Sequence, residues 1–160
     1  MSESPPSLHL ADASATEALG AVLAQWLAAR GAGLVTLQGD LGAGKTTLVR
    51  GLLRALGASG PIRSPSYTLL EPYQLGGLRV LHMDFYRLQS PDELENLGLR
   101  DDPPEQSIWL VEWPERAGEL LPPPDLALKL SNAAEGRTAE LACAAAGRPA
   151  LDRLLHAAKL

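Results

Sequence analysis

One cysteine, Cys143, leaves no partner for an internal disulfide and no thiolate set for a metal. It sits in the apolar run Leu141–Ala146, so a buried structural thiol is expected. Aromatic residues make up only 4% of the chain, and the core therefore has to come from Leu, Val and Ala. There is no basic arm or Lys/Arg cluster, and the formal net charge is −5. The electrostatic term that drives unaided nucleic-acid binding is missing, so no direct grip on DNA or RNA is expected. No apolar run approaches the roughly 18 residues needed to span a membrane. The N-terminal MSESPPSLHL also lacks the basic and apolar regions of a signal peptide. The expectation is a cytoplasmic protein with no membrane segment.

What is present fits one globular domain spanning residues 1–160, with apolar residues at 46% and charged residues at 21%. A chain of this size can bury about 70% of its unfolded surface. Residues 1–7 read as a flexible, polar, Pro-rich tail. Leu8–Leu10 suggests a short strand. Ser14 and Glu17 then match a capping box, and Leu19, Val22, Leu23, Trp26 and Leu27 follow at helical spacing to about Arg30. Gly31 and Gly33 stop that helix.

The apolar segment Leu34–Leu37 reads as a central strand, and a glycine-rich turn follows at once. A second helical stripe, Leu48, Val49, Leu52, Leu53 and Leu56, ends at Gly57. Thr68–Leu75 and Leu78–Asp84 flank Gly76-Gly77 as a hairpin. Ser90-Pro91-Asp92-Glu93 is another helix start, with Ser as the cap and Pro in the first turn. Ser107–Trp113 is an apolar strand ending at Glu112. Two more strands, Asp125–Leu130 and Thr138–Ala142, surround a turn at Asn132–Gly136, and Ala150–Ala158 reads as a terminal helix.

The turn after the first central strand is Gly39-Asp40-Leu41-Gly42-Ala43-Gly44-Lys45-Thr46, the pattern G-x-x-x-x-G-K-[ST]. Glycines let the backbone curl so that successive N–H groups point at phosphate oxygens. The following helix adds its N-terminal donors and the positive end of its dipole. Lys45 offers a point charge for the β- and γ-phosphates, and the Thr46 hydroxyl is a hard ligand for Mg²⁺. The pattern arises by chance about once in two hundred chains of this length. Its strand–loop–helix setting therefore favours a nucleoside triphosphate site over a helix-capping turn. The nucleotide-binding stretch runs from Gly39 to Thr47.

A magnesium ion at such a loop needs an acid at the end of another strand. Glu112 and Asp84 both qualify, and two such acids point to at least one metal-linked role. Ser64-Pro-Ser66-Tyr-Thr68 reads either as a plain turn, which spacing alone favours, or as a loop whose hydroxyls sense the γ-phosphate. His82 shares a strand face with Asp84, and a structural, hydrogen-bonded histidine is its default reading. Trp113 reads as either core packing or a docking aromatic.

Taken in order, GDLGAGKTTLVRGLLRALG, SPSYTLLEPY, HMDFYRL, ELENLGLRD and LVEWPERAGELLP resemble the bacterial TsaE (YjeE) family, the ATPase component of tRNA threonylcarbamoyladenosine (t⁶A) biosynthesis. The likeness is strong from Leu8 to Pro122 and loose in the C-terminal third. It implies an α/β, P-loop NTPase-type fold with a mixed sheet flanked by helices. It implies ATP and Mg²⁺ as ligands, and slow hydrolysis without partners. The partners it implies are the TsaD and TsaB proteins, which carry threonylcarbamoyl onto tRNA adenosine 37, so tRNA is met only through the complex.

By position, the resemblance makes Lys45, Asp84 and Glu112 the catalytic set, with Asp84 near the γ-phosphate and its attacking water. Thr46 and Glu112 become the metal ligands. Ser66 and Thr68 fall in a switch-like loop, and Trp113 signals between nucleotide and partner. Thr16 and Arg137 match positions that border the nucleotide. Ser66 replaces the threonine common in the family, and Phe85 a common leucine. The rival reading is a small-molecule or nucleoside kinase using the same loop, but no arginine-rich lid segment is present to serve it. No base-reading motif separates ATP from GTP.

Overall fold

The computed structural model describes residues 4–160. Its regular elements are β1 (Ser7–Leu10), α1 (Ala13–Arg30), β2 (Gly33–Gln38), α2 (Lys45–Ala55) and β3 (Leu70–Leu75). They continue with β4 (Leu78–Asp84), β5 (Ile108–Glu112), β6 (Leu126–Asn132), β7 (Arg137–Cys143) and α3 (Arg148–Ala157). Short 3-10 segments, among them Pro91–Leu97 and Pro114–Leu120, fill the connections. The strands form one seven-stranded sheet in the order β1-β7-β6-β2-β5-β4-β3. Neighbours among β6, β2, β5 and β4 run parallel. β3 at one edge, and β7 and β1 at the other, pair antiparallel. This is the expected α/β, P-loop-type fold with a mixed sheet.

Each central strand is buried on both faces, so its apolar residues sort by parity. Val35 and Leu37, Val80, and Ile108 and Leu110 pack with Leu19, Leu23, Leu48 and Leu52 of the helices. Leu34, Leu81, Met83, Trp109 and Val111 turn to the other face, where Phe85, Leu88, Leu94 and Ala117 cover them. The same parity puts His82 and Asp84 with Val80, and Glu112 with Ile108 and Leu110. The three polar side chains therefore emerge on the α2 side of the sheet.

Several local expectations shift. The helix expected to be capped by Ser14 instead starts after Asp12, whose carboxylate accepts from Ala15 N at 2.8 Å. Glu17, freed of the expected box, meets Arg50 of α2 at 3.0 Å. The expected tail is shorter: Ser7 already opens β1, and the Pro6 carbonyl accepts from Leu141 N at 3.0 Å. Residues 1–3 of that tail lie outside the described residues. β3 begins at Leu70 rather than Thr68, because Leu69 takes a left-handed backbone (φ 66°) that breaks the extended run. Cys143 is half-buried, not fully buried, and burial raises its thiol pKa above the ordinary value. The Ser90 capping box forms as expected, but on a 3-10 segment. Among the described residues no helix is long and apolar enough to cross a membrane.

Candidate functional site

Parallel register brings the site together. Leu37 of β2 lies opposite Glu112 of β5, and Glu112 lies opposite Asp84 of β4. Three adjacent strands thus end at one level, where ligands bind in open α/β sheets. The loop from Gly39 leaves β2 at this edge and enters α2 at Lys45.

That loop is shaped as an anion cradle. Gly44, at the helix start, has φ 105°, and no side chain among the described residues caps α2. The first-turn donors are therefore left for an outside acceptor. A Cβ on Gly39 would lie 2.6 Å from the Leu130 carbonyl oxygen, and one on Gly44 would lie 3.1 Å from the Arg137 side chain. At Gly39 the overlap is with backbone, and at Gly44 the positive φ strains any side chain. Lys45 is almost fully buried, and its ammonium donates to the carbonyls of Gly39 and Asp40. It also lies 4.3 Å from the Trp113 ring centroid. Burial lowers the Lys45 pKa below 10.5, opposed by the charges of Glu112, Asp84, Glu115 and Asp40.

Glu112 and Asp84 are also buried, and carboxylates in such places need hydrogen bonds. Glu112 Oε1 accepts from the Thr46 hydroxyl at 3.0 Å, and Oε2 from His82 Nε2 at 2.6 Å. Asp84 Oδ1 accepts from Tyr86 N at 2.9 Å, and Oδ2 from the Ser64 hydroxyl. Ser64 Oγ also lies 3.4 Å from Glu112 Oε2. A carboxylate offers His82 only lone pairs, so Nε2 carries the proton. Nδ1, buried and with no partner among the described residues, is then the lone-pair nitrogen. An N–H buried there without an acceptor would cost about 1–3 kcal/mol.

Two hydroxyls and two carboxylates thus converge, all of them hard oxygen donors. Among the described residues no group of three or more His, Cys, Asp or Glu is arranged to hold a metal on its own. This donor set fits Mg²⁺, which takes one or two carboxylates and completes its shell with waters and substrate phosphates.

The cleft, of about 330 Å³, is lined by Leu41, Gly42, Gly44, Lys45, Thr46, Thr47, Ser66, Asp84, Glu112, Trp113 and Arg137 of the expected residues. Gly39, Asp40 and Ala43 form the rear of the loop and line a neighbouring cavity. Arg137 Nη2 donates to the Gly42 carbonyl at 3.0 Å, and its buried Nε has no partner among the described residues. Trp113 is half-buried and packs against the cluster around Phe85. It stacks over Lys45 and lies 4.9 Å from the Tyr86 ring, held by a left-handed backbone (φ 58°).

Beyond the rear of the loop, two more expected residues do not reach the cleft. Thr16 is fully buried in α1, with its hydroxyl donating to the Asp12 carbonyl at 3.3 Å. Thr68 is exposed in the turn before β3 and is not among the lining residues. Ser64, from the hydroxyl-rich turn, and Tyr86, two residues beyond Asp84, also line the cleft. Nothing local separates Ser64 from Ser66 and Thr68. What selects it is the distance from its hydroxyl to the two strand-end acids.

The family model "Threonylcarbamoyl adenosine biosynthesis protein TsaE" matches residues 10–139. The chain is 45% identical over 108 residues to the tRNA threonylcarbamoyladenosine biosynthesis protein TsaE of Haemophilus influenzae, covering 68% of each chain. It is 42% identical over 129 residues to the protein of that name from Synechocystis, covering 75% of this chain and 77% of the relative. The crystal structure of Bacillus subtilis YdiB superposes with a TM-score of 0.70 at 27% identity, over 99% of this chain and 97% of that one.

Proposed function

This chain belongs to the TsaE family, and on that premise we propose that it is the ATP-binding and ATP-hydrolysing subunit of the machinery that makes t⁶A at tRNA adenosine 37. The observation that carries this reading is the Thr46–Glu112 contact of 3.0 Å beside the buried Lys45, at the uncapped start of α2. A triphosphate lies along the Gly39–Thr47 loop. Its oxygens accept from the loop amides, and Lys45 supplies the nearby positive charge. Thr46 and Glu112 would hold Mg²⁺, which when bound would supply positive charge to the phosphates. Asp84 Oδ1 accepts from the Tyr86 amide and Oδ2 from the Ser64 hydroxyl, and the second lone pair of Oδ2 is left to accept from the attacking water.

The partners on this reading are TsaD and TsaB, which carry out threonylcarbamoyl transfer in the cytoplasm, and tRNA is met only through the complex. A net charge of −5 with no basic cluster supports the indirect contact. Relatives named for t⁶A biosynthesis favour this over a small-molecule kinase. The test is ATP turnover by the purified chain alone, with TsaD or TsaB singly, and with both. Slow turnover that rises only when both are present is expected. Phosphate appearing on a small acceptor, or turnover indifferent to the pair, would sink the reading.

A further inference from the structure

Glu112 is gripped from two sides by groups of different mobility. The hydroxyls of Thr46 and Ser64 stand in the cleft, where a rotor can turn away to make room. His82 does not line the cleft. It is fully buried on β4, with Nε2 2.6 Å from Glu112 Oε2. Its position follows from strand parity and register, since His82 pairs with Leu110, the residue two before Glu112 on the same face of β5. The contact cannot be given up without repacking the strand interior.

We propose that His82 is a positioning residue that holds Glu112 Oε2 and so offers a divalent cation only Oε1, the oxygen beside Thr46. This rests on the reading above, in which Glu112 is a metal ligand. A carboxylate restrained to one oxygen suits the small octahedral Mg²⁺ shell, whereas a carboxylate free to chelate with both suits the larger Ca²⁺ shell. Residues that orient metal ligands in this way commonly change metal affinity about 10–100-fold when removed.

The experiment uses the full chain with His82→Asn, His82→Gln, Glu112→Gln and the H82N/E112Q double variant. Glutamine carries an N–H as far along the side chain as imidazole Nε2. Asparagine reaches only as far as Nδ1 and cannot meet Glu112. Each protein is titrated with Mg²⁺ and with Ca²⁺ in the presence of a fluorescent ATP analogue. Bound Mn²⁺ is followed by electron paramagnetic resonance, and melting is recorded alongside.

H82N should raise the Mg²⁺ concentration at half-saturation about 10-fold and narrow the preference for Mg²⁺ over Ca²⁺. Analogue affinity in EDTA should not change. H82Q should restore most of the Mg²⁺ response, and H82N should add nothing once E112Q is present. The role is overturned if H82N titrates like the parent, or if H82N and H82Q shift alike. If E112Q shifts the Mg²⁺ titration and H82N does not, only the role of His82 fails. If E112Q itself leaves the titration unmoved, the metal-ligand reading of Glu112 fails with it. Should H82N not fold, H82L takes its place against H82Q with the same outcomes.

Discussion

Lys45 carries its charge where charge is costly, and that has consequences in the ligand-free protein. Burial pulls its pKa below 10.5 despite four nearby carboxylates. Between the lowered value and 10.5, the unfolded chain keeps the proton that the folded chain has released. Stability of the protein in EDTA should therefore rise with pH across that window. Denaturant melts between pH 8 and 10.5 measure this, and Lys45→Ala should flatten the rise. The same substitution should weaken nucleotide binding by at least about tenfold, because a charge-assisted contact is worth about 1.5–3 kcal/mol. Unchanged binding in a titration would remove the phosphate-site assignment. Lys45, Asp84 and Glu112 could be named from their residue types and places in local patterns. The choice of Ser64 within its hydroxyl-rich turn and the grip of His82 could not, since both depend on neighbours 20 to 48 positions away.

At the scale of elements, α1 and α2 meet glycine to backbone. A Cβ on Gly20 would lie 2.8 Å from Leu52 N and closer still to the Leu48 carbonyl oxygen, and one on Gly51 would lie 2.6 Å from Glu17 Cα. Alanine at either place improves intrinsic helix propensity by about 1 kcal/mol. The overlap is with backbone, however, and cannot be relieved by a rotamer. Gly20→Ala and Gly51→Ala should each destabilise the protein by about 2 kcal/mol or more, a fall in melting temperature of at least about 4–8 °C. Nucleotide affinity should fall as well, because α2 begins at the loop lysine and moves with the shift. A variant that melts at or above the parent would refute the close approach. Both helices are legible from their 3.6-residue stripes, whereas the starting cap of α1 is not. Ser14 and Glu17 fit a capping box as local sequence, but Asp12 caps the helix and Glu17 is held by Arg50 across the helix pair.

Across the whole molecule, the site gathers β2, α2, β4, β5, the Ser64 turn and β7 at one edge of the sheet, so ligand binding should stabilise the entire fold. At a hundred times its dissociation constant, Mg²⁺–ATP should add about 2.7 kcal/mol, or about 5–10 °C in melting temperature. Differential scanning fluorimetry should show the shift in the parent and lose it in Lys45→Ala. By itself the sequence determined that a strand runs into a glycine-rich loop and then a helix. It also determined that two apolar strands end in acids, and that the net charge is −5 with no cluster of Lys and Arg. These are local properties, set by periodicity, glycine freedom and composition. Only the tertiary structure decided that Leu37, Asp84 and Glu112 end at one level. It also decided that Thr16 and Thr68 stay outside the cleft, and that Trp113 lies over Lys45. Strand order and parallel register come from long-range pairing between segments, and no local pattern carries them.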